Sequence, residues 1–143
     1  MTRPEIVAFF HDRNAHWNAR NADALAAGHA LECTVQSPMH GTPRGRAAIA
    51  VSYQALFSIF PDWQFTGDDL IIDGHRVAQV FAAEATHVGE FMGLSGTNRR
   101  FRIQGVRLYD MADGLIQSER RLYDFTGLLI QVGVLRGKPA KDF

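Results

Sequence analysis

Helical patterning early in the chain, strand patterning later and tight turns between the strands predict an α+β fold, with N-terminal helices packed on a strongly curved, mainly antiparallel sheet. Three observations carry this. Apolar residues up to Phe60 recur at helical spacing, while residues 63–124 alternate apolar and polar side chains. Two Asp-Gly pairs, Asp73-Gly74 and Asp113-Gly114, stand where hairpin turns belong. The 143 residues suit one domain, expected over 1–135, with a frayed polar tail over 136–143.

The elements follow in order. Thr2 and Glu5 have capping-box spacing and Pro4 suits a first helical turn, so a helix begins there, with Ile6, Phe9, Phe10 and Trp17 on one face. Asn21 and Asp23 end it, and residues 22–30 read as a short second helix. Residues 31–36 alternate and are partly β-branched, which predicts a strand; 37–45 hold two prolines and two glycines and form a turn. A third helix presents Ile49, Tyr53, Leu56, Phe57 and Phe60 on one side and stops at Pro61. Four strand segments then form a meander, and the glycine-rich stretch from Gly89 to Arg100 between the second and third is long enough for a rim or lid. A curved sheet under helices leaves a concavity, the default place for a ligand.

Composition narrows the functions. Fifteen basic residues balance fifteen acidic ones, which argues against nucleic acid or an anionic membrane held by bulk charge. No apolar run is long enough to span a bilayer, the N-terminus does not read as a signal peptide, and the lone Cys33 fits a reducing cytoplasm, where the protein is expected. The six histidines lack HExxH or other metal-ligand spacing, and no P-loop, GxGxxG or GxSxG motif occurs, so no metal is expected. Arg99, Arg100, Arg102, Arg120 and Arg121 form a basic cluster, read with Glu119 and Asp110 as a solvated face or dimer contact.

Three segments, Phe60-Pro61-Asp62-Trp63, THVGEFMGL over 86–94 and ERRLYDFTGLLIQVG over 119–133, resemble the SnoaL-like polyketide cyclase (ester cyclase) family within the nuclear-transport-factor and ketosteroid-isomerase superfamily. Val132 stands where leucine is usual, and Ser95 and Asn98 replace a common Pro and Gly. The resemblance implies a cone-shaped α+β barrel and a cofactor-free enzyme acting on a hydrophobic, carbonyl-bearing small molecule. Asp124 matches the family's general acid and base, and His87 the assisting histidine. It also implies a homodimer formed through the outer sheet face.

The residues have readings of their own. Asp124 ends an apolar strand, where it is either a proton shuttle in a cleft or the cap of the following segment. His87 shares strand parity with Val77, Phe81, Ala83 and Ala85, the expected interior face, and is either a hydrogen-bond donor to substrate or a hinge residue bonded to backbone. His16 and Trp17 near the end of the first helix, His40 at the rim, and Tyr53, Phe57, Trp63, Phe91 and Met92 are the candidate substrate-binding residues. Two other functions fit: a limonene-epoxide-hydrolase-like enzyme using Asp124 with Arg107 or Arg102, and a non-catalytic dimeric module for a small ligand. The first helix lacks the tyrosine that ketosteroid isomerases carry there as an oxyanion donor, which weakens the classical isomerase reading.

Overall fold

The computed structural model describes residues 1–141, apart from the Asp68 side chain. Nine elements follow in the order α1 (Arg3–Asn18), α2 (Ala22–Ala27), β1 (His29–Gln36), α3 (Arg46–Ile59), β2 (Gln64–Asp73), β3 (Arg76–Thr86), β4 (Arg100–Ala112), β5 (Leu115–Tyr123) and α4 (Phe125–Val132). The tail beyond α4 forms no helix or strand up to residue 141; residues 142 and 143 of the expected frayed tail lie outside the described ones.

Local chemistry sets the boundaries. The Thr2 hydroxyl accepts from the Glu5 amide at 3.3 Å and starts α1 with Pro4 in its first turn. Asn21 caps α2, which stops at Ala27 rather than running to residue 30, because Gly28 caps it and His29 already bonds into the sheet. Both Asp-Gly turns form as expected, with Asp113, Gly114 and Gly74 at positive φ.

The sheet order is β1-β5-β4-β3-β2. Three neighbouring pairs are antiparallel, and β1 joins β5 in parallel, so the sheet is mixed. This is the ketosteroid-isomerase-like arrangement of helices over one curved sheet. Along β3 the interior residues are Val77, Gln79, Phe81, Ala83 and Ala85, and His87 continues that parity into the following loop. The outer face carries rows such as Asp69–Val80–Val106–Leu122 and Ile71–Ala78–Leu108–Arg120.

Helix α1 closes one margin of the sheet with side-chain amides. Asn18 Nδ2 donates to the Phe65 carbonyl at 3.0 Å while its Oδ1 accepts from the Phe65 amide at 3.0 Å. Asn14 adds a bond to the Gly67 carbonyl at 2.9 Å. The Phe65 amide and carbonyl and the Gly67 carbonyl of edge strand β2 are thereby satisfied where no further strand pairs with them. Between the layers lies the aromatic core: Trp17 stacks on Phe65 and Trp63 and meets Tyr53 and Phe57 edge-on, and Phe60 and Phe101 continue the cluster. Among the described residues, no helix is long and apolar enough to cross a membrane.

A buried polar centre inside the cone as candidate active site

Alternation along β5 turns Glu119 and Arg121 inward while Arg120 and Leu122 face out. In β4 the inward residues include Arg107 and Tyr109. Register places Arg107 opposite Arg121 and Tyr109 opposite Glu119. Two like charges directly across a ladder repel; the neighbouring Glu119 carboxylate offsets this by accepting from Arg121 Nε and lying 3.9 Å from Arg107 Nη1. From the helical layer, Arg13 of α1 and Tyr53 of α3 reach the same place, and β1 contributes His29. All seven of these side chains are at most 5% exposed.

Tyr53 is the hub. Its hydroxyl oxygen accepts from Arg13 Nη2 at 2.6 Å and Arg121 Nη2 at 3.1 Å, and it lies 2.8 Å from His29 Nε2. Arg13 Nη2 also lies 3.0 Å from His29 Nε2. A guanidinium can only donate, so His29 Nε2 is an acceptor there, and the Tyr53 proton points to it. The ring proton then sits on Nδ1, 3.3 Å from the Cys33 sulfur. Burial, reinforced by Arg13, holds the His29 pKa down at about 3, so the imidazole is neutral at pH 7.

Glu119 shows the opposite balance. Burial alone pushes a carboxyl upward, but Arg121, Arg107, His29 and Arg13 outweigh it and hold Glu119 at about 2. It is a permanent carboxylate that orients guanidinium groups, too weak a base to shuttle protons at neutral pH. Arg107 sits among aromatic rings, with its guanidinium carbon 4.5 Å from the Trp17 ring centre, 4.6 Å from Phe81 and 5.0 Å from Phe65. Its Nε and Nη1 have no hydrogen-bond acceptor, and neither Arg13 Nε nor Glu119 Oε1 has a partner. The arrangement is one of cations and a hydroxyl buried among aromatic side chains, suited to stabilising negative charge on oxygen.

The residues expected from sequence fall into three groups. Tyr53 belongs to the polar centre and Trp17 walls it. Phe57, Trp63 and Phe91 pack into the aromatic core, Phe91 against Phe60, His87 and Phe125. His40 is half-buried within electrostatic reach of Arg121, and burial first, then Arg121, lowers its pKa to about 4. The others stand apart. Met92 is 62% exposed at a positive-φ turn, and His16 lies beside a shallow groove with Phe9, Asp12 and Arg13.

The expected pairing of Asp124 with His87 in one enclosed cavity is not formed. Asp124 is exposed and caps α4, its Oδ1 accepting from the Gly127 amide at 2.8 Å. A strand-terminal aspartate three residues before that amide satisfies an otherwise unpaired helix donor. His87 is fully buried, with Nδ1 3.0 Å from Thr97 Oγ1, which in turn bonds the Val132 carbonyl at 2.9 Å. Its Nε2 meets no polar partner. The basic cluster also divides: Arg100 and Arg102 pair with Asp62 and Glu84 outside, whereas Arg121 and Glu119, expected on a solvated face, are inside. Sequence reasoning missed His29 and Arg13 and misplaced Glu119 and Arg121. The spacing of Glu119, Arg121 and Tyr123 at alternate positions of one strand was the available signal. Among the described residues, no three His, Cys, Asp or Glu side chains cluster as metal ligands do.

The family model for SnoaL-like polyketide cyclase matches residues 10–132. No curated protein matches the chain. Among solved structures, TsrD from Streptomyces laurentii is 22% identical with a TM-score of 0.82, over 94% of this chain and 99% of its own. AclR from Streptomyces galilaeus, a candidate hydroxylase, is 23% identical with a TM-score of 0.82, over 96% and 87%. IdmH from Streptomyces antibioticus, a candidate polyketide cyclase, is 26% identical with a TM-score of 0.76, over 92% and 99%.

Proposed function

Starting from a chain that belongs to the SnoaL-like polyketide cyclase family, we propose a cofactor-free acid–base enzyme acting on a hydrophobic, carbonyl-bearing small molecule. Its reacting centre is the Tyr53 cluster rather than the Asp124–His87 pair. The observation that carries this reading is the Tyr53 hydroxyl, held by two guanidinium groups and a neutral imidazole among buried aromatic side chains. A substrate carbonyl oxygen presented to Arg107 and Arg121 is polarised, which acidifies the C–H beside it. The C–H proton leaves to hydroxide from solvent, since His29, held at about 3, is as poor a proton acceptor as Glu119, and the bonding electrons move to the carbonyl oxygen as an enolate. The enolate carbon then takes a proton back, which is isomerisation, or attacks a second carbonyl of the same molecule, which closes a ring. In the second case the new alkoxide takes a proton from solvent. Glu119 keeps Arg121 and Arg107 aimed and stays ionised throughout.

A two-carboxylate epoxide hydrolase fits less well, because the centre holds one carboxylate between arginines rather than one arginine between carboxylates. The close packing of Trp17, Trp63 and Phe65 favours the other alternative, a non-catalytic ligand-binding module. Proton exchange separates the two. With aromatic β-keto esters in deuterium oxide, the protein should speed α-proton exchange followed by NMR, and Tyr53→Phe should slow it by about a hundredfold or more. Exchange at the buffer rate across the panel, or an undiminished rate in Tyr53→Phe, overturns the enzyme reading.

The working form is a homodimer. The outer sheet face exposes Ile71, Val80 and Leu122 around a groove of about 600 Å³ that carries both Arg76 and Arg120 and both Asp73 and Asp110. A second copy turned by a two-fold axis can set each sign against its opposite. A monomer mass by light scattering at micromolar concentration counts against this.

A further inference from the structure

The polar centre is sealed. Its seven side chains are at most 5% exposed, and the neighbouring Trp17, Phe65 and Phe81 at most 3%. A substrate meets the Tyr53 hydroxyl only after part of the wall moves, and the wall is not equally firm all round. Helix α1 is fastened to β2 by Asn14 and Asn18, and its Arg13 to the Leu25 carbonyl and Tyr53. That bonded Arg13 also stops the shallow groove between α1 and α2. The glycine-rich stretch after β3, expected as a rim or lid, is fixed as well. The Val88 and Gly89 amides both donate to the Ile59 carbonyl at 3.0 Å, and Thr97 bonds the Val132 carbonyl. A Cβ at Gly89 would strike the Ser58 carbonyl oxygen, and one at Gly96 the Val88 carbonyl oxygen, so this backbone is packed tight.

The turn after β1 is held differently. The Ser37 amide donates to the Gly41 carbonyl at 2.7 Å, and the His40 amide to the Ser37 hydroxyl at 3.3 Å. Both bonds lie within the tip, so they keep its shape and not its place. The segment returning from it is stitched to β1 by bonds from the Val35 amide to the Pro43 carbonyl at 3.1 Å and from the Gly45 amide to the Cys33 carbonyl at 2.8 Å. Between tip and stitches stands Gly41 at a φ of 70°, which glycine adopts without strain and which serves as a hinge.

Three contacts tie the tip to the barrel. Met39 is partly buried against the core, His40 is half-buried within electrostatic reach of Arg121, and the Tyr123 hydroxyl of β5 lies beside the Ser37 side chain and the Met39 amide. Beneath them is Arg121, the most exposed of the seven at 5%, which donates directly to the Tyr53 hydroxyl at 3.1 Å. The thinnest cover over the polar centre is therefore also the part with the fewest bonds to anything else.

We infer that residues 37–41 are a flap over the cone, latched by the Tyr123 hydroxyl, which swings out on Gly41 to uncover Arg121 and with it the way to Tyr53. The role as a substrate door rests on the reading of the Tyr53 cluster as the reacting centre; the motion itself does not require that any reaction occur there.

The test is solvent exchange of arginine Nε–H protons in the intact protein, followed by nitrogen-15 NMR. Arg121 reports on the flap, Arg13 on the groove between α1 and α2, and the Phe81 amide on opening of the whole sheet. Tyr123→Phe removes the latch and keeps the ring that meets Phe81 and Phe125 edge-on. It should speed Arg121 exchange about tenfold, the scale of one lost hydrogen bond, and leave the Arg13 and Phe81 protons within about twofold. Met39→Ala, which loosens the tip without touching the latch, should act in the same direction. Arg121 exchange unmoved in both variants overturns the flap, as does acceleration of all three protons together or of Arg13 alone. Selective release of Arg121 with no α-proton exchange on any β-keto ester would sink the catalytic proposal alone. Such exchange with Arg121 equally protected in every variant would sink only the flap.

Discussion

Replacing Glu119 by glutamine tests the electrostatic logic of the cone at its single buried carboxylate. The magnitude follows from two routes. Its arginine neighbours hold the carboxyl at about 2 in place of the ordinary 4.5, and about 1.4 kcal/mol per pH unit makes this roughly 3 kcal/mol of folding stability at neutral pH. Removing one partner from a buried ion pair costs about 3–5 kcal/mol by mutational experience. Glutamine keeps the volume but sets an amide N–H₂ or a neutral oxygen against Arg121 and Arg107, so the lower end is expected. The sign in pH is fixed by the depressed value. The contribution is complete above about 4.5, where the unfolded chain is also ionised, and is lost as pH falls from there toward about 2. Urea unfolding followed by the fluorescence of Trp17 and Trp63 should show Glu119→Gln about 3 kcal/mol less stable at pH 7, with the gap narrowing steadily below pH 4.5. A variant as stable as the parent at pH 7, or a gap that persists unchanged at pH 2.5, refutes the placement of an ionised Glu119 among the arginines.

Three further outcomes are expected. Asp124→Ala should cost about 1 kcal/mol in thermal or urea unfolding and Asp124→Asn only a few tenths, because asparagine also caps the Gly127 amide; equal losses would refute the capping role. His29 should titrate by NMR near pH 3, with the Nδ1–H tautomer above that, and its contribution to stability should be full above pH 6.5 and decline as acidity rises toward 3; a midpoint near 6.5 would contradict its burial beside Arg13. Gly105→Ala should lose about 1–3 kcal/mol, since an added Cβ would fall on the Leu122 carbonyl oxygen and crowd Tyr123 and Phe81; an unmoved urea midpoint would show that the β4–β5 ladder gives way easily there.

Most of the fold was legible because local rules and the final structure agree. The Thr2 cap, the stop at Pro61, the Asp-Gly hairpins and the β3 alternation are local signals that no tertiary contact opposes. The parallel β1–β5 pairing was not legible, since its partner lies some eighty residues downstream and nothing in 29–36 marks the direction of pairing. The site was harder for a physical reason. Hydrophobicity names the inner face of a strand only when the interior is apolar, and here β5 buries Glu119 and Arg121 while Leu122 is 43% exposed. His29 was hidden differently: the alanine-rich run made it read as the end of a helix, and Gly28 breaks that run one residue earlier. For Asp124 both readings were open in the sequence, and the capping geometry now occupies its carboxylate.

The amide clasp between α1 and β2 bears on how the chain survives before it is finished. Asn18 presents one donor and one acceptor to Phe65, as a neighbouring strand would, and so occupies a stretch of sheet margin that could otherwise recruit another chain. The shield is made by the first helix for a strand that emerges nearly fifty residues later. Until α1 seats, the β2 margin is open to any passing strand, and once seated it is closed by side chains alone. Asn18→Leu would keep the helix and lose the shield, so its cost should appear as concentration-dependent aggregation on refolding more than as a lowered melting point. Solubility in this molecule is therefore a property of helix docking as much as of surface charge.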